Sequence, residues 1–315
     1  MDNNLYQKTI GILYPGEMGA CFGQLLCEAG FRVVTTTEER SVRTHRLCRE
    51  AGLSAVDSLD KVLQQSDTVI SLVSPGAALS VARIVAAHMK GSSRTLLYID
   101  ANSISPMTVT QIAEVLRDVP VDFVDASIFG LASQLRQRGT LYLSGPRAEE
   151  VSGQFGPLLR VKAVGDTPGQ ASALKMIVSG IPKGLSGLFI ETMLFAQNMN
   201  LLEEALATCD EIYPGIMEVI RRMLPTYPQH AGRRCEELLE VEETMLMSGL
   251  TPRIVRAVRE VTSVLASAGW SNNPDAHQWT IVEIIRQIHK EPTLQAPVPR
   301  SDQPFERSFV HCDLR

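Results

Sequence analysis

The chain has 315 residues, 44% of them hydrophobic and 21% charged, with a formal net charge of -5 and a pI near 5.8. That length leaves room for two domains of roughly 100–200 residues each, and the composition is that of a globular protein with a sizeable core. The acidic balance gives no electrostatic case for a nucleic-acid partner. The start MDNNLYQKT has neither the basic region nor the apolar core of a signal peptide, and no apolar run is read as long enough to cross a membrane. The expected compartment is the cytoplasm.

In chain order, residues 9–14 read as a first strand and 17–29 as a first helix, closed by Gly30. Between them lies Tyr14-Pro15-Gly16-Glu17-Met18-Gly19, a Pro-Gly turn with a second glycine three residues after the first. This is the strand–turn–helix order of a dinucleotide-binding site. Gly16 would let backbone approach a pyrophosphate, Gly19 would let the helix pack close to the strand, and free N–H groups at the helix start would hold phosphate oxygens. The usual fingerprint has three glycines, and Tyr14 stands where the first belongs.

Residues 31–36 read as a second strand. Its end decides between cofactors: an acidic residue there holds ribose hydroxyls, as Glu38 or Glu39 could. Arg40, Ser41 and Arg43 could instead hold a 2′-phosphate, and the expectation is NADP, with NAD possible. The alternation continues through 53–56, a helix start at Ser58, and a strand at 68–73 ended by Ser74-Pro75-Gly76. A helix then runs to about Met89, followed by strands at 95–100, 121–125 and 140–144, with a helix at 107–116. Such alternation predicts a doubly wound, mostly parallel sheet, a Rossmann domain. Ligands bind such sheets beyond the carboxyl ends of the strands. Tyr14–Gly19, Ser74-Pro75, Asn102-Ser103 and Ser127–Gly130 are expected there.

Residues 166–184 link the halves. Asp166-Thr167 could cap a helix, with Pro168 in its first turn. Lys175 lies in an otherwise apolar stretch, Ala171–Leu174 before it and Met176–Val178 after it. Either it snorkels from a half-buried helix or it exchanges protons from a low-dielectric site. Pro182 should kink or interrupt the helix. Apolar stripes of period 3.6 then run from Ser186 to about His289, predicting an all-α C-terminal domain. Its methionines read as core filler. The six cysteines and six histidines are scattered without metal-ligand spacing, so no metal site is expected. The expected division is 1–165 Rossmann domain, 166–199 interdomain helical segment, 200–290 helical domain and 291–315 tail.

Three stretches carry a resemblance: LYPGEMGACFG at 13–23, YIDANSISP at 98–106 and GQASALKMIVSGIPKG at 169–184. Through them the chain resembles the 3-hydroxyacid dehydrogenase and 6-phosphogluconate dehydrogenase superfamily. More closely it is similar to the branch whose C-terminal domain is known only as phosphogluconate-dehydrogenase-like. The resemblance spans roughly residues 8–290. It implies an NAD(P)-dependent oxidoreductase acting on a small hydroxy or oxo acid, or an imine reductase on the same scaffold.

By residue, the resemblance implies Lys175 as general acid/base. It puts Asn102 and Ser103 where hydroxyl residues stand near the nicotinamide, and Phe129 and Gly130 where a serine and glycine hold a substrate carboxylate. Ser179 takes the place of an asparagine one turn beyond the lysine. Phe129 departs from the pattern and reads equally as a core aromatic. Lys183 is a second candidate for an acidic substrate, though a solvated lysine is the expected state. Arg233, Arg234, Glu243 and His277 are further candidates from the helical domain, which in this superfamily forms much of a homodimer interface. The losses at Tyr14, Phe129 and Ser179 also leave open a non-catalytic nucleotide sensor.

Overall fold

The structure, a computed structural model, describes residues 8–273 and 275–291. It divides into two compact units. Among the described residues, the first comprises 8–181 together with Glu240–Pro252, and the second comprises Pro182–Leu239 and the residues from Arg253 to 291. The expected tail therefore lies almost wholly outside the described residues.

The first unit is built as β1 (Thr9–Leu13), α1 (Glu17–Glu28), β2 (Arg32–Thr36), α2 (Val42–Glu50), β3 (Ser54–Val56), α3 (Leu59–Gln65), β4 (Thr68–Ser71) and α4 (Ala78–Met89). There follow β5 (Leu96–Asp100), α5 (Pro106–Leu116), β6 (Val121–Phe129), α6 (Leu135–Arg138), β7 (Thr140–Ser144), α7 (Ala148–Phe155) and β8 (Arg160–Gly165). The eight strands form one sheet in the order β3-β2-β1-β4-β5-β6-β7-β8. The order reverses between β1 and β4, which is where such sheets open a crevice for ligands.

Every neighbouring pair is parallel except β6 with β7. Two features depart from the sequence reading. β6 extends to Phe129, so Ser127 is a buried strand residue and not part of a loop. β8 was not expected at all: its residues alternate between exposed and half-buried, the weak pattern of an edge strand.

The central strands are buried on both faces. Ile10, Ile12, Ile70, Leu97 and Ile99 pack with Phe22, Leu26 and Phe155 on one side. Leu13, Val69, Leu96 and Tyr98 pack with Val62, Val81, Val85 and Ile112 on the other. The period of two splits each strand between the two cores. Glycine permits one close crossing: a Cβ on Gly23 would lie 2.8–2.9 Å from Leu53 and Ile12.

α8 (Gln170–Asn198) is a single helix of 29 residues that runs unbroken through Pro182, and the division between units falls within it. By length and composition alone it is apolar enough to cross a bilayer, with a mean hydropathy of 1.3 over its most apolar 18 residues, a test that the core helix of a globular protein also passes.

The second unit contains the rest of α8 with α9 (Leu202–Ile212), α10 (Pro214–Met223), most of α11 (Tyr227–Met247), α12 (Arg253–Ser267) and α13 (Ile281–Ile288). Phe189, Ile190, Met193, Met217, Ile220, Leu265, Ile284 and Ile288 form its core. Gly187 lets α8 approach α12, since a Cβ there would meet Val258 at 3.0 Å. A reciprocal capping box between Thr280 and Glu283 starts α13.

Candidate functional site: the carboxyl edge of the sheet

At the end of β1 the chain turns through Tyr14 with φ at +48°. This is the left-handed region, where a non-glycine residue costs about 1–2 kcal/mol. Tyrosine therefore adopts the conformation for which glycine is ordinarily used. Pro15 and Gly16 follow, and α1 starts with no side chain capping it. A Cβ on Gly16 would meet nothing within 4 Å, whereas one on Gly19 would come 2.9 Å from Pro15 Cβ. Gly16 faces open space and Gly19 packs tightly, as the two roles require. The first N–H groups of α1 have no intrahelical acceptor, and the helix dipole adds positive potential there. Met18 packs on the core and Glu17 pairs with Arg43 at 3.2 Å, both of the latter exposed.

The loop after β2 lies beside this turn. Glu39 is left-handed, with φ at +55°, and the Arg40 guanidinium sits over the Tyr14 ring, 4.2 Å from its centroid. The Ser41 hydroxyl accepts from the Thr44 N–H and so caps α2. Of the three residues expected at a 2′-phosphate, Arg40 alone is not engaged by a carboxylate or a cap in these contacts. Ser74 and Pro75, after β4, are exposed.

After β5 the chain is drawn inward. Asn102 is 2% exposed. Its N–H donates to Asp100 Oδ1 and its Nδ2 to Asp100 Oδ2 and Ser71 Oγ, while its Oδ1 accepts from the Val73 N–H at 2.6 Å. This corrects its expected role. The amide ties the β4 and β5 loops together and does not present itself to a cofactor. Asp100 is fully buried, and desolvation raises its pKa to about 7. The Asn102 hydrogen bonds oppose that rise and the charge of Asp125 adds to it.

The next residue, Ser103, is exposed, and its Oγ accepts from Lys175 Nζ at 2.7 Å. Lys175 is half-buried on α8. A candidate acid/base and a hydroxyl, 72 residues apart in sequence, thus meet at the carboxyl edge of the sheet. Ser179, one turn further along α8, donates its hydroxyl to the Met176 carbonyl.

Phe129 ends β6 and packs edge-to-face on Tyr142, with ring centroids 4.9 Å apart. Gly130 follows with φ at +127°.

Three further expectations are corrected. Lys183 is neither solvated nor offered to a ligand: it is 4% exposed and pairs with Glu237 at 3.0 Å inside the second unit. Arg234 is also buried there, 4.0 Å over the Tyr227 ring and bonded to the Thr226 hydroxyl. Nor do Asp166, Thr167 and Pro168 cap α8, because the helix starts later and its cap comes from β6. The Asp125 carboxylate accepts from the Gly169 and Ser172 N–H groups and from the hydroxyls of Ser144 and Ser172. Sequence reading missed Asp100 and Asp125 as site residues. Their signal was a carboxylate set in an apolar run: Asp100 closes β5, and Asp125 lies at the middle of β6.

The switch-point crevice, the uncapped helix start and the open Gly16 fit a dinucleotide. They define the class of NAD(P)-binding dehydrogenases and reductases. Residues 9–163 match the NAD binding domain of 6-phosphogluconate dehydrogenase, and residues 196–265 match a domain of unknown function, DUF1932. The conserved protein MTH1747, a solved structure of unknown function described as similar to 3-hydroxyacid dehydrogenases, is 30% identical. That match covers 84% of this chain and 98% of that one, with a TM-score of 0.67. A conserved hypothetical protein from Sinorhizobium meliloti is 26% identical over 92% of this chain and 100% of its own, with a TM-score of 0.71. At 15% identity the fold is shared with 3-hydroxyisobutyrate dehydrogenase of Mycobacterium tuberculosis, over 89% of this chain and 99% of that one, TM-score 0.69. The chain belongs to the 3-hydroxyacid and 6-phosphogluconate dehydrogenase superfamily, in the branch that carries the DUF1932 domain.

Proposed function

We propose that the protein is an NADP(H)-dependent oxidoreductase acting on a small hydroxy or oxo acid, or a related carbonyl compound, with Lys175 as its general acid/base. The observation that carries this reading is the contact of Lys175 Nζ with Ser103 Oγ at 2.7 Å, at the edge where the cofactor loops end. Tyr14–Gly19 and the start of α1 would hold the pyrophosphate, with Ser74 and Pro75 bordering it from β4. Arg40, stacked on Tyr14, would hold the 2′-phosphate, with the exposed Ser41 beside it. When bound, the nicotinamide supplies or accepts the hydride.

The chain's own part is proton transfer and orientation. In oxidation, Lys175 Nζ takes the proton of the substrate hydroxyl; in reduction it returns one to the carbonyl oxygen. Ser103 Oγ fixes the direction of the amine and can donate to the same substrate oxygen. Asn102 keeps the loop that carries Ser103 in place. Gly130, its φ positive, gives backbone access beside Phe129.

Phe129 offers no polar group to a carboxylate, and this favours a second reading, reduction of an apolar C=N substrate. A homodimer through the helical domain and a cytoplasmic location belong to the same proposal. The test is turnover of NADPH and NADH against a panel of oxo acids, aldehydes and cyclic imines. Oxidation of NADPH with an oxo acid or aldehyde supports the first reading, and with an imine alone the second. Tight NADPH binding with no turnover across the panel would favour a sensor.

A further inference from the structure

The first turn of α8 leaves no donor unsatisfied. The Gly169 N–H donates to Asp125 Oδ2, Gln170 N–H to the Thr167 carbonyl, Ala171 N–H to Ser144 Oγ, and Ser172 N–H to Asp125 Oδ2. The Ser172 hydroxyl adds a bond of 2.6 Å to Asp125 Oδ1, and the Ser144 hydroxyl a bond of 2.8 Å to Asp125 Oδ2. Gly169 reaches this geometry with φ at +102°. Asp125, Ser144 and Ser172 are each at most 1% exposed. α1, whose start faces the dinucleotide loop, has no side-chain cap at all. One helix N-terminus is left open and the other is closed by a buried carboxylate.

We propose that Asp125 is a positioning residue for Lys175, holding the first turn of α8 so that the amine meets Ser103; this rests on the oxidoreductase reading given above. Ser172 and Lys175 are one helical turn apart and share a face, about 4.5 Å along the axis. Asp125 is the direct sheet partner of Asp100. Ser103 follows Asp100 by three residues, and Asn102 bonded to Asp100 holds its loop. Both sides of the Lys175–Ser103 contact are therefore referenced to one paired register position, Asp100 on β5 and Asp125 on β6. A polar contact of this kind tolerates displacement of about 0.5 Å. Loosening the first turn of α8 displaces the amine without touching the dinucleotide loops.

The test uses the full chain with lysines carrying 13C at Cε, the Lys175 signal being assigned by its loss in Lys175→Arg. Ser172→Ala removes one hydroxyl, and Asp125→Asn removes the charge and sets an NH2 group against the Ser172 hydroxyl, which can no longer donate to that side-chain atom. Each is expected to move the Lys175 titration midpoint in the direction seen in Ser103→Ala, by about half a pH unit or more. The double variant Ser103→Ala, Ser172→Ala should move it no further. NADPH affinity should stay within about threefold of the unsubstituted protein, and any turnover found should fall in kcat with its pH profile following the amine. A Lys175 midpoint unchanged in folded Ser172→Ala overturns the proposal, whatever happens to thermal stability, and Ser172→Ala alone decides if Asp125→Asn does not fold. A moved midpoint in a protein that turns over no substrate would uphold the positioning and reject the oxidoreductase reading.

Discussion

The Arg40 guanidinium rests over the Tyr14 ring, 4.2 Å from its centroid. This contact joins the loop after β2 to the turn after β1, the two segments that would flank the adenosine end of a dinucleotide. It also explains what Tyr14 does in a left-handed turn that glycine would occupy without strain. The ring holds a flexible arginine in one place, an interaction of about 0.5–1 kcal/mol at an exposed site.

Arg40→Ala should therefore weaken NADPH binding by roughly 10- to 100-fold, the loss of a charge-assisted hydrogen bond and its orientation. NADH binding should change far less. Titration calorimetry with both nucleotides checks this. Equal losses for the two would place the 2′-phosphate elsewhere.

Gly16 and Gly19 should respond oppositely to alanine. A Cβ on Gly16 has no neighbour within 4 Å, and the residue's φ of −88° suits any side chain. Gly16→Ala should melt like the unsubstituted protein yet bind NADPH poorly. Gly19→Ala forces a Cβ to 2.9 Å from Pro15 and should destabilise the fold by about 1–3 kcal/mol. Thermal melts with and without NADPH separate the two effects.

Asp100 makes stability depend on pH. Burial raises its pKa from 3.8 to about 7, so between these values the folded state binds the proton that the unfolded state releases. Its contribution is fully present below pH 3.8 and is lost as pH rises through 7. The whole change is on the order of 4 kcal/mol. Asp100→Asn should flatten stability between pH 5 and 8, at a constant cost from opposing the donor of Asn102. Denaturant titrations across that range measure the slope.

In the second unit, Glu237 neutralises Lys183, which is 4% exposed. Glu237→Gln removes the carboxylate charge beside the Lys183 ammonium and, with Glu237 a third exposed, should cost about 1–3 kcal/mol. Replacing both residues, Lys183→Met with Glu237→Gln, should recover most of it. Chemical denaturation of the single and double variants checks the coupling.

The sheet was legible because its central strands are continuous apolar runs bounded by turn residues, as at Thr68–Ser71 and Leu96–Asp100. β8 was not, since half its residues face solvent and only Val161 and Ala163 pack inward. Motif order led to Lys175 and Ser103, but their contact required the fold. Asn102 was read by type as a ligand-facing amide; its hydrogen bonds are instead spent on Asp100 of β5 and on Ser71 and the Val73 N–H at the end of β4. The cap of α8 was sought locally at Asp166, yet it is Asp125, 44 residues upstream of Gly169. Periodicity gave the helices of the C-terminal half but not that residues 240–252 fold with the first unit. For Lys175, Asn102 and the cap of α8, a deciding partner is distant in sequence.

In the function proposed above, a dinucleotide binds at Tyr14–Gly19 while Lys175 transfers the proton. Its most direct test is Lys175→Ala, followed by NADPH binding through fluorescence and by turnover of whichever panel substrate the unsubstituted protein accepts. NADPH affinity should stay within about threefold of the parent protein, and turnover should fall by roughly 10²- to 10⁴-fold. Full turnover in Lys175→Ala would contradict it.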